Sequence, residues 1–231
     1  MIHCCLHYSV LEHWWFLMPV DYDFNFITIT ENQGSSKEII SLDPGVTPFQ
    51  TGYSPQGHIL RIGGTSTNIS LQKHFKRIDH LRSKIDNCSD NKKKSTMFKL
   101  MHKQWYKIKN KVKDLHWKSI TYLTRNYKTI LLPVFETSNM LKGKKLHRST
   151  KRLMNIYSFY KFKESLLWKS KQRNIDCYIV DESCTSKTCS NCGWYNHKLV
   201  GEKTYKCKVC NIVIDRDINA ARNILIKNIH C

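Results

Sequence analysis

The stretch TSKTCSNCGWYNHKLVGEKTYKCKVCNIVIDRDINAARNI, residues 185–224, constrains the architecture of this chain more than any other. Cys189 and Cys192 are separated by two residues, 14 residues intervene, and Cys207 and Cys210 repeat the spacing. A Cys-x-x-Cys turn aims two thiolates at one point, and two such turns fill all four positions of a tetrahedral site, leaving none for a substrate. The spacing predicts a structural zinc knuckle rather than two disulfides or four unrelated buried thiols. His197, inside the loop, is read as exposed, and the other six cysteines, which have no paired spacing, as core or surface thiols. Directly after the knuckle come Asp215 and Asp217 and a helical run, DINAARNILIKNI.

Ten cysteines in 231 residues do not make a disulfide scaffold, and no basic segment leads into an apolar stretch with a cleavage site. Reduced thiols in an intracellular protein follow, nuclear in a eukaryotic host and otherwise cytoplasmic. The longest apolar runs, such as WWFLMPV, fall far short of the roughly 20 residues that cross a bilayer. No membrane partner is expected.

Lys and Arg number 38 against 18 Asp and Glu, a net charge of +20. Such an excess points to a polyanionic partner. It is unevenly spread: residues 71–128 hold 17 basic and 4 acidic residues and 142–173 hold 11 and 1, whereas 1–70 hold 2 and 6. Long basic helices facing a phosphate backbone give this pattern. Lys103, Lys107 and Lys111 in the first block, and Lys144, Lys145, Arg148, Lys151 and Arg152 in the second, are the candidate contacts.

Aromatic and apolar residues at 13–20 and alternation after them suggest strands. Residues 37–64 read as three short strands with a Pro-Gly turn after Asp43 and a hairpin at SPQG. From Leu71 the period becomes helical. Leu71, Phe75, Ile78, Arg82 and Ile85 share one face, and after a polar loop Phe98, Met101, Trp105, Ile108, Val112, Leu115, Ser119 and Tyr122 keep 3-4 spacing. These predict two helices packed as a pair, with Trp105 as core. YKTILLPVFE (127–136) reads as a buried strand with Glu136 at its end, 148–173 as helical, and IDCYIVDES (175–183) as another strand. Strands, helices, strand, helix, strand, knuckle and helix make a mixed α/β order.

Three acids fall in comparable settings: Asp43 at the end of the first sheet strand, Glu136 at the end of a later one, and Asp217 at the start of the last helix. Hydrolysis by two divalent metals needs such carboxylates brought together, because hard Mg²⁺ selects oxygen ligands. Taken singly, each also reads as a turn residue, a solvated strand end or a helix cap. A basic chain that sets its scarce acids at strand and helix ends favours the shared role.

ESCTSKTCSNCG, YKCKVCNIVIDRDINAARNI and SLDPGVTPFQTGYSPQGHI together resemble the C-terminal half of the TnpB family, transposon-encoded RNA-guided DNA nucleases, and especially their eukaryotic and viral relatives called Fanzor. The resemblance implies an α/β fold: an RNase H-like (RuvC-like) mixed sheet with a long helical-hairpin insertion and a zinc-ribbon insert. It implies residues 37–183 as the nuclease core with its insertion at 71–126, 184–213 as the zinc ribbon, and 214–231 as the last nuclease segment. Residues 1–36 become the remnant of an N-terminal β-barrel, the larger front of such proteins being absent. It makes Asp43, Glu136 and Asp217 the catalytic acids holding Mg²⁺ or Mn²⁺, with Asp215 competing for the third place, and the four cysteines zinc ligands. Glu182, beside Asp181 at a strand end, matches no catalytic position of the family and is left out. DNA and a guide RNA are the implied partners. Two classes of function follow: a metal-dependent DNA nuclease or its nuclease half, and a zinc-ribbon DNA-binding remnant of a mobile element without catalysis.

Overall fold

The structure is a computed structural model that describes residues 5–8, 14–17, 37–142, 146–199 and 201–229. Lys144 and Lys145 and most of the expected barrel remnant therefore lie outside the described residues. A hairpin comes first, β1 (Cys5–Tyr8) antiparallel to β2 (Trp14–Leu17). It belongs to one compact unit with residues 66–114, and residues 29–65 and 115–231 form a second.

In the first unit lie most of α1 (Thr65–Asp86) and the first part of α2 (Asn91–Asn126). Phe75 meets Trp105 edge-on at 6.0 Å, and His74 Nδ1 lies 2.8 Å from Gln104 Oε1, so the two helices pack side by side as their periodicity requires. The buried face of α1 carries Leu71, Phe75, Ile78, Leu81 and Ile85. Leu81 holds the place assigned from sequence to Arg82, which is exposed. On α2 the middle of the stripe is buried, but its ends, Phe98 and Tyr122, are exposed. A 3.5-residue repeat drifts about 20° per heptad on a straight helix, which carries the ends of a long stripe off the buried side.

The second unit is built on a five-stranded sheet of β3 (Lys37–Pro44), β4 (Gln50–Tyr53), β5 (Ile59–Ile62), β6 (Tyr127–Pro133) and β7 (Asp176–Val180), in the order β5-β4-β3-β6-β7. β3 is central, antiparallel to β4 and parallel to β6, which is in turn parallel to β7. The sheet is thus mixed, as expected. Gly52 on β4 answers to a close approach: a Cβ there would stand 2.7 Å from Ile40 Cδ1.

After β6 come α3 (Thr137–Lys142), α4 (Arg148–Tyr157) and α5 (Phe159–Gln172). The chain ends with β8 (Thr204–Lys206) antiparallel to β9 (Val213–Asp215), then α6 (Arg216–Asn228). α6 lies against the sheet: its Ile224 and Leu225 pack with Leu131 and Val180. Ala220 and Ala221 are fully buried, and Ser41 Oγ donates to the Ala221 carbonyl at 2.7 Å. Small side chains at that turn let the helix backbone come within hydrogen-bonding reach of β3. Among the described residues no helix is long and apolar enough to cross a membrane.

A second core cluster centres on Phe49, whose ring lies 5.0–5.4 Å from those of His116, Tyr157, Phe159 and Phe162. Buried His116 lies with Nε2 2.8 Å from the Tyr157 carbonyl, which fixes Nε2 as the protonated nitrogen of the neutral ring. Burial lowers its pKa and Lys161 adds to that, against the opposing hydrogen bond. The unfolded chain therefore takes up a proton that the fold resists, so stability is highest above the unfolded value of about 6.5 and falls as pH drops through it. Urea unfolding at pH 7.5 and pH 5.5 is expected to show a smaller loss for His116→Gln, which keeps an N–H donor but cannot titrate, than for the wild type.

Candidate metal and nucleic-acid site

Because β3, β6 and β7 are parallel, their C-terminal ends meet at one sheet edge. Ser41 pairs with Leu131, and Pro133 with Val180. The segments leaving that edge carry Asp43 and Pro44 from β3, Glu136 from beyond β6, and Asp181 and Glu182 from beyond β7. The C-terminal edge of parallel strands is where open α/β sheets hold their ligands. The N-terminus of α6 brings Asp215, Arg216 and Asp217 to the same place.

Asp43 is the focus. Burial pushes its carboxyl well above the ordinary range, and the neighbouring charges of Asp217, Glu182 and Asp215 push it further, with Arg216 opposing. Glu182, half-buried, is raised to about 7, first by burial and then by Asp181. Crowded carboxylates disfavour each other's ionisation unless a cation joins them. The set is all oxygen and its charge is only partly offset by Arg216, so it fits a hard divalent cation. It is open, however: among the described residues only the four cysteines have all their ligand atoms within 4.8 Å of one another.

The two aspartates flanking Arg216, equivalent by spacing, differ in their surroundings. Asp215 is the N-cap of α6, its Oδ1 accepting from the Asp217 and Ile218 amides at 3.0 and 3.2 Å, and its Oδ2 meets Arg61 at 3.2 Å. Asp217 lies in the first turn, with Arg216 at 3.2 Å, and ranks ahead of Asp215 among the charges acting on Asp43. Asp181 is also engaged elsewhere. Lys227 of α6 and Ser183 donate to it, Lys227 being the larger cause of its lowered pKa.

Glu136 sits three residues past the end of β6, exposed, on the rim of a cleft that Pro44 also lines. Glu182, left out from sequence, is among the charges that raise Asp43. Its signal was present: it follows the third parallel strand just as Asp43 and Glu136 accompany the ends of the first two.

The knuckle is assembled by its own turns. Cys192 and Cys207 sulfurs lie 3.5 Å apart and those of Cys189 and Cys210 3.6 Å. These separations are far beyond the roughly 2.05 Å of a disulfide and near the roughly 3.8 Å edge of a tetrahedron with 2.3 Å metal–sulfur bonds. The Val209 amide donates to Cys207 Sγ at 3.4 Å, and hydrogen bonds from the Asn191 side chain and the Ile212 backbone bring Cys210 down to about 6. Four convergent sulfurs fit a metal and are compatible with a zinc ribbon. His197 is exposed against Tyr195, as read from sequence.

The knuckle and the acid edge are joined through two asparagines of α6. Fully buried Asn219 accepts from the Ser190 amide at 3.0 Å and donates to the Thr188 carbonyl at 2.7 Å. Asn223 donates to the Thr185 and Thr188 carbonyls. Asn219 is two residues from Asp217, so the Cys189 turn is tied to the start of the helix that carries the acid.

Lys103, Lys107 and Lys111 form an exposed i, i+4 stripe on α2, in the first unit. Arg148 is exposed and Lys151 and Arg152 half-buried on α4, in the second.

The Cas12f1-like TNB domain model matches residues 159–224, from α5 through the knuckle into α6. A transposase-type protein of Paramecium bursaria Chlorella virus 1 is 34% identical over 218 residues, 92% of this chain and 47% of that protein. A TnpB-like protein of Methanocaldococcus jannaschii is 28% identical, over 92% of this chain and 85% of its own length. The chain spans about half the length of the viral relative. Among solved structures, Cas12f1 in a complex with single-guide RNA and target DNA superposes with a TM-score of 0.60 at 20% identity, covering 94% of this chain and 54% of that one. The likeness establishes the fold, a RuvC-like mixed α/β sheet.

Proposed function

Because the chain belongs to the TnpB family of transposon-associated, RNA-guided endonucleases, we propose that it hydrolyses DNA phosphodiester bonds at the C-terminal edge of its sheet, using divalent Mg²⁺ or Mn²⁺. One observation carries this reading: Asp43, on the central strand, is crowded by the carboxylates of Asp217 and Glu182 in a chain with 38 basic and 18 acidic residues. Metal held there would activate water and stabilise the leaving oxygen. Asp43 and Asp217 are the first two ligands, and Glu182 and Glu136 flank them from the ends of neighbouring strands. Asp215 caps the helix that presents Asp217, and Arg216 tempers the repulsion between the acids.

The zinc at Cys189, Cys192, Cys207 and Cys210 is structural. DNA and a guide RNA are the proposed partners, and the cations of α2 and α4 contact their phosphates without reading sequence. The test is Mg²⁺-dependent cleavage of a labelled single strand by wild type, Glu182→Gln and Glu136→Gln. A loss of at least about 10-fold is expected for Glu182→Gln, since even residues that only orient a metal ligand cost 10–100-fold. Unchanged cleavage in both variants would overturn the metal site at this edge.

A further inference from the structure

Beside the acids the sheet edge opens into a cleft of about 220 Å³ lined by Pro44, Gln50, Phe135, Phe159, Tyr160 and Lys163 among others, with Glu136 on its rim. It lies wholly within the second unit, between the end of β6 and α5. We propose that this cleft is a subsite for one unstacked nucleobase of the strand whose backbone lies at the carboxylates. The proposal rests on the reading of this edge as a site of DNA hydrolysis.

The walls are aromatic and built. Phe135 meets Phe159 edge-on at 4.7 Å, Phe159 stacks on Phe49 at 5.1 Å, and both Phe159 and Phe162 are buried. They are rigid surfaces rather than loose rim groups. Tyr160, by contrast, is 68% exposed, with Lys163 Nζ 5.0 Å from its ring centroid. A base entering between them gains aromatic contact without disturbing the core, and Lys163 stands ready for its phosphate. Aromatic faces take any base, since every base has a π-face.

Gln50, one of the residues lining the cleft, carries an unanswered acceptor. It is 1% exposed, and its Oε1 has no hydrogen-bond partner among the described residues. Leaving a buried carbonyl oxygen unmet in an apolar wall is unfavourable. A nucleobase brings the missing donor, an exocyclic amino group or a ring N–H, at the edge of a planar ring. The volume suits this occupant, falling below the roughly 300–1,000 Å³ of pockets for larger ligands. Pro44 directly follows Asp43, so a base seated here holds its own phosphodiester in register with the acids, which is the positioning that hydrolysis requires.

The experiment is anisotropy binding by the zinc-loaded chain in buffer without Mg²⁺ or Mn²⁺, where no hydrolysis is expected, with a labelled single strand of mixed sequence and an abasic strand of the same length. Wild type is expected to favour the base-bearing strand by about 10-fold, within the range of one stacked base. Tyr160→Ala is expected to bring that preference down to about 2-fold while leaving affinity for the abasic strand and its salt slope unchanged. Gln50→Leu, which removes the unmet acceptor, is expected to weaken the preference and raise the melting temperature. Equal wild-type affinity for both strands overturns the proposal, as does a preference untouched by Tyr160→Ala. A Gln50→Leu protein that melts lower and keeps full base preference overturns the role of Gln50. Because the binding assay needs no Mg²⁺, a base preference that survives alongside absent cleavage defeats the nuclease reading alone, and cleavage without base preference defeats the subsite alone.

Discussion

Asp217→Asn is expected to abolish cleavage and leave the fold intact, while Asp215→Ala is expected to weaken the fold and leave cleavage within a few-fold of wild type. The two residues differ by one helical position each side of Arg216, yet their partners separate them. Asp215 satisfies two orphan amides at the N-terminus of α6 and meets Arg61. Removing an N-cap costs about 0.5–2 kcal/mol, and the Arg61 pair, exposed on both sides, adds little. A fall of several degrees in melting temperature follows for a domain of this size. Among the described residues the Asp217 carboxylate accepts a hydrogen bond from Arg216, and its charge bears on Asp43. Its amide analogue fits the same space, keeps the hydrogen bond and loses the charge that a metal needs. The rate loss should exceed the 10–100-fold that outer-shell partners of a metal site cost. Cleavage rates and thermal melts of both variants check the assignment, and it fails if their effects are exchanged.

Cys207→Ser is expected to release the bound zinc and to loosen the first turn of α6 together with the knuckle. One ligand of four is lost, and a small ribbon has little else to hold it, since metal binding supplies much of the folding free energy of such modules. Its own core is slight: Leu199 and Tyr205 beside Cys189 and Cys207, with Trp194, Ile212 and Ile214 partly covering them. The disturbance travels through Asn219 and Asn223, which hold the Thr188 and Ser190 backbone at the start of α6. Each buried bond left unmet costs about 1–3 kcal/mol. Zinc content measured on the purified protein, with hydrogen exchange across 185–224, checks this. Full zinc content in the variant, or loss of zinc with unaltered protection at Ile218–Ala221, would contradict the coupling.

That coupling is what an unpaired reading of the sequence leaves obscure. The four-cysteine cluster is legible because its spacing is local: Cys-x-x-Cys sets two sulfurs in one turn whatever surrounds it. The strands and helices are legible for the same reason, since the apolar period of 71–85 and the continuous apolar run of 127–133 report local geometry. Arg82 against Leu81, and the exposed ends of the α2 stripe, show where a period read by eye loses phase along a long helix. The acid edge depends instead on pairing. Glu182 looks like any polar residue after a short strand until β7 is known to lie parallel to β6, itself parallel to β3. Only then do the ends of three strands coincide. Likewise Asp215 and Asp217 are indistinguishable until Arg61, 154 residues away in sequence from Asp215, is seen to hold one of them. The cleft at Gln50 and Phe135 draws its walls from four separated segments and carries no sequence signature at all.

The proposed hydrolysis requires the carboxylates at the sheet edge to act on DNA through divalent metal. The direct measurement is cleavage of an end-labelled single strand by the purified, zinc-loaded chain with and without added Mg²⁺, beside Asp43→Asn. Cleavage is expected from the wild type in Mg²⁺ only, and none from the variant at equal fold stability. Cleavage that persists without Mg²⁺ or in Asp43→Asn would contradict that requirement, and no cleavage by the folded wild type would leave a zinc-ribbon nucleic-acid-binding protein without hydrolysis of its own.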